Sequence, residues 1–105
     1  MANFLLLYTG GGAPSPADRE KIMQEWGSWF GNLGDKVVDA GNPIRHPKRV
    51  SDGGSVHDGA VGNPAATGYS ILKADSLNAA TELAKSCPVL TSGGEVTVYE
   101  ITPAM

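Results

Sequence analysis

The stretch from Gly68 to Ile101 restricts the fold more than any other, because its punctuation allows one reading only. A glycine opens Tyr69-Ser70-Ile71-Leu72-Lys73, a short run rich in aromatic and β-branched residues, as expected for a strand. Ser76 suits a helix N-cap, since its hydroxyl can accept from an otherwise orphaned N–H of the first turn. Leu77, Ala80, Ala84 and Cys87 then recur at helical spacing, with Leu83 alongside, and Pro88 ends the run. Gly93-Gly94 breaks the chain again before Val96 and Val98 resume a strand period. The segment reads as strand, helix, strand.

The preceding chain supplies a matching half. Asn3 to Thr9 is almost unbroken apolar sequence of strand length, which predicts a strand covered on both faces. Gly10-Gly11-Gly12-Ala13-Pro14 reads as a connector; a phosphate loop would need a following Gly-Lys-Ser/Thr, which is absent. Ser15-Pro16 starts a helix, serine as N-cap and proline in the first helical position, and Asp18 and Glu20 complement its dipole. Ile22, Trp26, Trp29, Phe30 and Leu33 form one apolar stripe; Lys21, Gln24, Glu25, Ser28 and Asn32 face away. Gly27 and Gly31 weaken this helix by about 1 kcal/mol each and, four apart, are expected to admit a close neighbour. Gly34 is the natural stop.

Lys36 to Ala40 reads as a second strand closed by Gly41-Asn42-Pro43. In the irregular stretch that follows, Arg49-Val50-Ser51 and Ser55-Val56-His57 flank Asp52-Gly53-Gly54, the pattern of a small hairpin. The predicted order is therefore βαββαβ with an inserted hairpin: an α+β, ferredoxin-like domain over residues 1–105, its four-stranded antiparallel sheet covered by two helices. Two helices cover one face of such a sheet, yet its strands carry apolar residues on both. A second copy of the chain is the simplest cover, so a homodimer is expected.

Composition excludes several classes. Net charge −3 leaves no basic footprint for nucleic acid or an anionic membrane, and Phe4 to Tyr8 is too short to span a bilayer. One cysteine precludes an internal disulfide and fits a reducing compartment, so a cytoplasmic protein is expected. His46, His57 and Cys87 have no ligand spacing, so neither a metal nor another cofactor is expected.

The residues from Gly68 to Ile101 resemble the closing part of the YCII-related proteins, whose pattern G-Y-x-I-x-x-A-x-S-L-x-x-A-x-x-L-A, cysteine-proline and double-glycine strand they reproduce. The earlier segments fall in the same order, so the resemblance covers nearly the whole chain. It implies a dimeric α+β barrel and leaves the activity unassigned. The family's Asp-Gly-Pro-Phe motif is half matched by Asp58-Gly59-Ala60-Val61. Some members are described as carrying a histidine–aspartate pair, the histidine on the first helix; here Gln24 and Trp26 stand in that neighbourhood, so the pair does not transfer.

Candidate site residues are few. Asp39, at a strand end, is a candidate general base, with turn capping as the commoner role. His57 and Asp58 are the other catalytic candidates, although neighbours on an extended chain point to opposite faces. Arg45 and His46 lie in a cationic loop suited to an acidic small molecule, Arg45 offering a planar fork. Trp26, Trp29 and Tyr69 are candidate ligand contacts, with packing in the core the commoner alternative for the two tryptophans. Two functions follow: a small-molecule-binding domain with a helix/sheet cleft or, by analogy of fold, a cofactor-free lyase, isomerase or oxygenase acting on a small acidic or aromatic compound.

Overall fold

A computed structural model describes residues 1–11, 15–60 and 65–103. In chain order the elements are β1 (Ala2–Thr9), α1 (Pro16–Leu33), β2 (Val37–Asp39), β3 (Lys48–Val50), β4 (Val56–Asp58), β5 (Ala66–Ala74), α2 (Leu77–Ala84) and β6 (Glu95–Ile101). Short 3-10 turns at Gly34–Lys36, Asp52–Gly54 and Pro88–Ser92 join them. Strands β2-β5-β1-β6 form one antiparallel sheet in that order, an α+β arrangement compatible with the ferredoxin-like topology. β3 and β4 make a separate two-stranded sheet.

The caps behave as their chemistry requires. Ser15 Oγ accepts the Asp18 N–H at 3.2 Å and donates to the Asp18 carboxylate at 2.8 Å, while Ser76 Oγ accepts the Ala79 N–H at 3.0 Å. Helix α2 ends at Ala84, one turn before Pro88, because its last turn tightens: the Lys85 N–H is shared between the Thr81 and Glu82 carbonyls. Cys87 and Pro88 are buried just beyond it. Leu77, which opens the series at helical spacing, is exposed at the first position of the helix; the core contacts come from Ala80, Ala84 and half-buried Leu83. The predicted close approach at Gly27 and Gly31 is not found: a Cβ at either would meet nothing within 4 Å. β2 is shorter than its sequence suggests, since residues 34–36 form a turn and a register shift between Val37 and Asp39 ends regular pairing.

Alternation in β1 and β5 sorts the sheet into two faces. Phe4, Leu6, Tyr8, Ser70, Leu72 and Ala74 are buried under the helices and form the core with Trp29, Leu33, Ala80, Ala84, Cys87 and Val89. Register places Leu5 opposite Ile71 and Tyr99, and Leu7 opposite Tyr69 and Thr97, all on the other face. No described element covers that face: Leu5, Leu7, Tyr69 and Ile71 are half-buried by their neighbours, and Tyr99 and Ile101 are exposed. Among the described residues, the expected cover on both sides of β1 is therefore present on one side only.

The molecule is a thin slab of 45 × 42 × 18 Å, and its radius of gyration of 15.0 Å exceeds the roughly 13 Å of a compact chain this long. The β3–β4 hairpin packs on itself and on little else. No described helix is long and apolar enough to cross a membrane.

Buried Cys87 permits a direct test of the core. Burial pushes its thiol up from the usual 9.0 to about 11, against smaller opposing contributions from hydrogen bonds with the Val89 backbone and the Tyr8 hydroxyl. A thiol with a raised folded-state pKa contributes stability that is complete below the unfolded value and is lost as pH rises through the folded one. The free energy of urea unfolding is expected to fall between about pH 9 and pH 11. Cys87→Ala should flatten that limb, leaving the part due to Tyr8, whose hydroxyl burial also pushes upward. An unchanged slope in the variant would place the alkaline sensitivity elsewhere.

Candidate functional site

One cleft, of about 600 Å³, opens between α1 and the end of the sheet. Its floor is the neighbourhood of Tyr8 and Ser70, a satisfied polar pair inside the core. The Tyr8 hydroxyl donates to Ser70 Oγ at 2.8 Å, and Ser70 donates in turn to the Ala40 carbonyl at 2.7 Å. This chain locks the tyrosine rotamer and ties the end of β2 to β5. Both hydroxyl protons are thereby committed, and burial holds the Tyr8 hydroxyl in its neutral form.

One wall is the α1 stripe Arg19, Ile22, Met23, Trp26 and Phe30, residues that recur three and four apart along a single helix face. Trp26 stands edge-on to Tyr8 with ring centroids 5.0 Å apart and tilts against Phe30 at 5.7 Å, which fixes its indole at the cleft. The opposite wall is the segment Ala40 to Pro43 with Arg45. Gly41 shapes it: at φ +78 its Hα lies against β5, where a Cβ would sit 1.7 Å from the Tyr69 carbonyl oxygen. That contact lets the Tyr69 N–H reach the Asn42 carbonyl at 3.3 Å and the Ile44 N–H reach the Thr67 carbonyl at 3.0 Å, extending the wall along β5. Gly10, Gly11, Val89 and Ser92 close the remaining end.

The candidate residues of the sequence divide cleanly. Trp26 and Arg45 line the cleft. Tyr69 borders it, but its register opposite Leu7 turns the side chain to the uncovered face of the sheet. Trp29 is buried away from the cleft, and its indole Nε1 donates to Ser86 Oγ at 3.0 Å in a groove between α1 and α2. Asp39 caps the turn, accepting the Gly41 N–H at 2.8 Å. His46 is exposed in the connecting loop at φ 58 and is not among the lining residues. His57 and Asp58 lie on the hairpin, outside the cleft. His57 Nε2 is 3.0 Å from Ser51 Oγ, and Asp58 pairs with Lys48 at 2.7 Å, both exposed. The motif residue Val61, like Gly12 to Pro14 of the glycine loop, lies outside the described residues.

Sequence reading missed Arg19, the second cation of the cleft. Its spacing carried the signal: Arg19, Ile22, Met23, Trp26 and Phe30 are the i, i+3, i+4, i+7, i+11 series of one helix face. Among the described residues no three His, Cys, Asp or Glu are grouped as metal ligands would be. Compared with known proteins, the chain matches no family model, and no curated protein is significantly similar to it in sequence.

Proposed function

We propose that this chain is a ligand-binding domain of YCII-related type that works as a homodimer and holds a small organic molecule in the α1/sheet cleft. One observation carries the reading. Among the described residues the titratable side chains lining the cleft are Tyr8, Arg19 and Arg45, with Tyr69 at its border, and none is an imidazole or carboxylate. Both hydroxyls on the floor, Tyr8 and Ser70, already donate within the core. Such a lining can hold and orient a ligand; it offers no group to carry a proton to and from one near neutral pH. The cleft's size, apolar wall and few polar groups fit a preformed small-molecule site.

The dimer is supported by the uncovered sheet face. Leu5, Leu7, Ile71 and Tyr99 form a continuous apolar patch across three strands, with Asn3, Lys73 and Glu95 toward its rim. A second sheet laid on this face would be isologous, each protomer burying the same residues. The hairpin adds to the case, because a lone two-stranded ribbon is marginal in water and this one exposes Val50 and Val56 opposite each other. The lone buried thiol agrees with a reducing compartment.

The two tryptophans make the cleft testable. A small aromatic compound that binds should shift the indole N–H resonance of Trp26 and leave that of Trp29 in place, since only Trp26 lines the cleft. Titration with a set of one- and two-ring compounds, read by two-dimensional NMR, checks this. Binding that moves Trp29 and spares Trp26 would relocate the site to the inter-helix groove and end this reading.

A further inference from the structure

Arg19 and Arg45 are the feature of the cleft that a merely apolar pocket would not need. They reach it from different elements, α1 and the loop after β2, so their convergence is a product of the fold. Among the described residues no Asp or Glu lines the cleft, although the chain as a whole carries net charge −3. Among the described residues neither arginine forms an ion pair; the two salt bridges found join Lys48 to Asp58 and Lys85 to Glu82. A guanidinium stays protonated in proteins and presents a planar fork of donors. Two of them beside Trp26, Phe30 and Tyr8 set an anionic end against an aromatic body.

We propose that the ligand of this cleft is an aromatic carboxylate, its ring against Trp26 and Phe30 and its carboxylate between Arg19 and Arg45. The inference rests on the cleft being the binding site and adds the chemical class of what it binds. A carboxylate matches the guanidinium fork in two parallel hydrogen bonds, and each charged hydrogen bond formed at a partly desolvated wall favours the anion over a neutral isostere. The remaining polar wall groups fit the same class: Asn42 and Ser92 can serve ring substituents, and the Tyr8 hydroxyl, already donating to Ser70, stays in the floor. A neutral ligand would leave both exposed guanidinium groups to water and gain nothing from either.

Three probes of one shape separate the possibilities: naphthoate, the isosteric naphthamide and naphthyl phosphate, each titrated into the full chain with the Trp26 indole resonance as readout. Naphthoate is expected to bind about tenfold or more tighter than the amide, the equivalent of one charged hydrogen-bonded pair. Arg45→Met and Arg19→Met should each reduce that acid-over-amide preference to about threefold or less. Both variants change exposed side chains, so the fold is expected to be retained, which unchanged far-ultraviolet circular dichroism verifies. Equal binding of acid and amide overturns the carboxylate assignment and leaves the cleft standing. Tighter binding of the phosphate ester overturns it in favour of a phosphorylated ligand. If none of the three moves Trp26, the cleft reading falls, and this inference with it.

Discussion

Gly41→Ala is expected to destabilise the protein by about 2–5 kcal/mol, its would-be Cβ making the closest approach of any described glycine. Two costs combine. A Cβ at φ +78 is strained by about 1–2 kcal/mol wherever it occurs. Here it would also sit 1.7 Å from the Tyr69 carbonyl oxygen, a backbone atom that cannot swing aside. Relief requires the Ala40–Pro43 segment to lift off β5, which pulls the Ala40 carbonyl away from Ser70 and strands a fully buried hydroxyl at a further cost of about 1–3 kcal/mol. Gly53→Ala is the control. Its φ of +77 is the same, but nothing lies within 4 Å of its would-be Cβ, so only the conformational cost applies. Urea unfolding of both variants checks the argument. Equal losses would show that backbone strain alone matters and that the close approach to Tyr69 does not.

The second large effect concerns assembly. The protein is expected to sediment at twice its 10.9 kDa chain mass at low micromolar concentration, and Leu7→Asp is expected to sediment as a folded monomer. Leu7 lies on β1, in the middle of the sheet, on the face that no described element covers. In a face-to-face dimer a carboxylate there would be buried without a partner, a penalty of several kcal/mol that association cannot offset. In the monomer the same side chain meets water and costs little. Leu6→Asp, one residue away, is the contrast: Leu6 is fully buried under the helices, so that variant should unfold instead of dissociating. A wild-type protein that sediments at the single-chain mass would remove the dimer from the proposal while leaving the cleft untouched.

What could be read without coordinates was whatever local chemistry decides. Ser15 and Ser76 cap their helices because a hydroxyl there satisfies an orphan N–H whatever the helix later packs against. The hairpin around Asp52-Gly53-Gly54 follows from turn residues between two short β-prone runs, and the order of the elements from apolar periodicity. Periodicity also grouped Trp26 with Trp29, since residues three apart share a helix face. It could not say that Trp26 overhangs the end of the sheet while Trp29 sits over the core and bonds Ser86, because that depends on where the helix crosses the strands. Arg19 was hidden for the same reason: a cation on an exposed first turn looks solvated until Arg45, distant in sequence, is brought to the same cleft. Gly41 read only as a turn residue, and its necessity comes from a carbonyl supplied by β5. Tyr8 and Ser70, polar groups in strands, became a buried hydrogen-bonded pair only through antiparallel pairing across 62 residues of chain. Elements and caps are set by forces acting within a few residues, and they are legible in order. The site is made by contacts between elements, and only the tertiary structure decides which of its candidates meet.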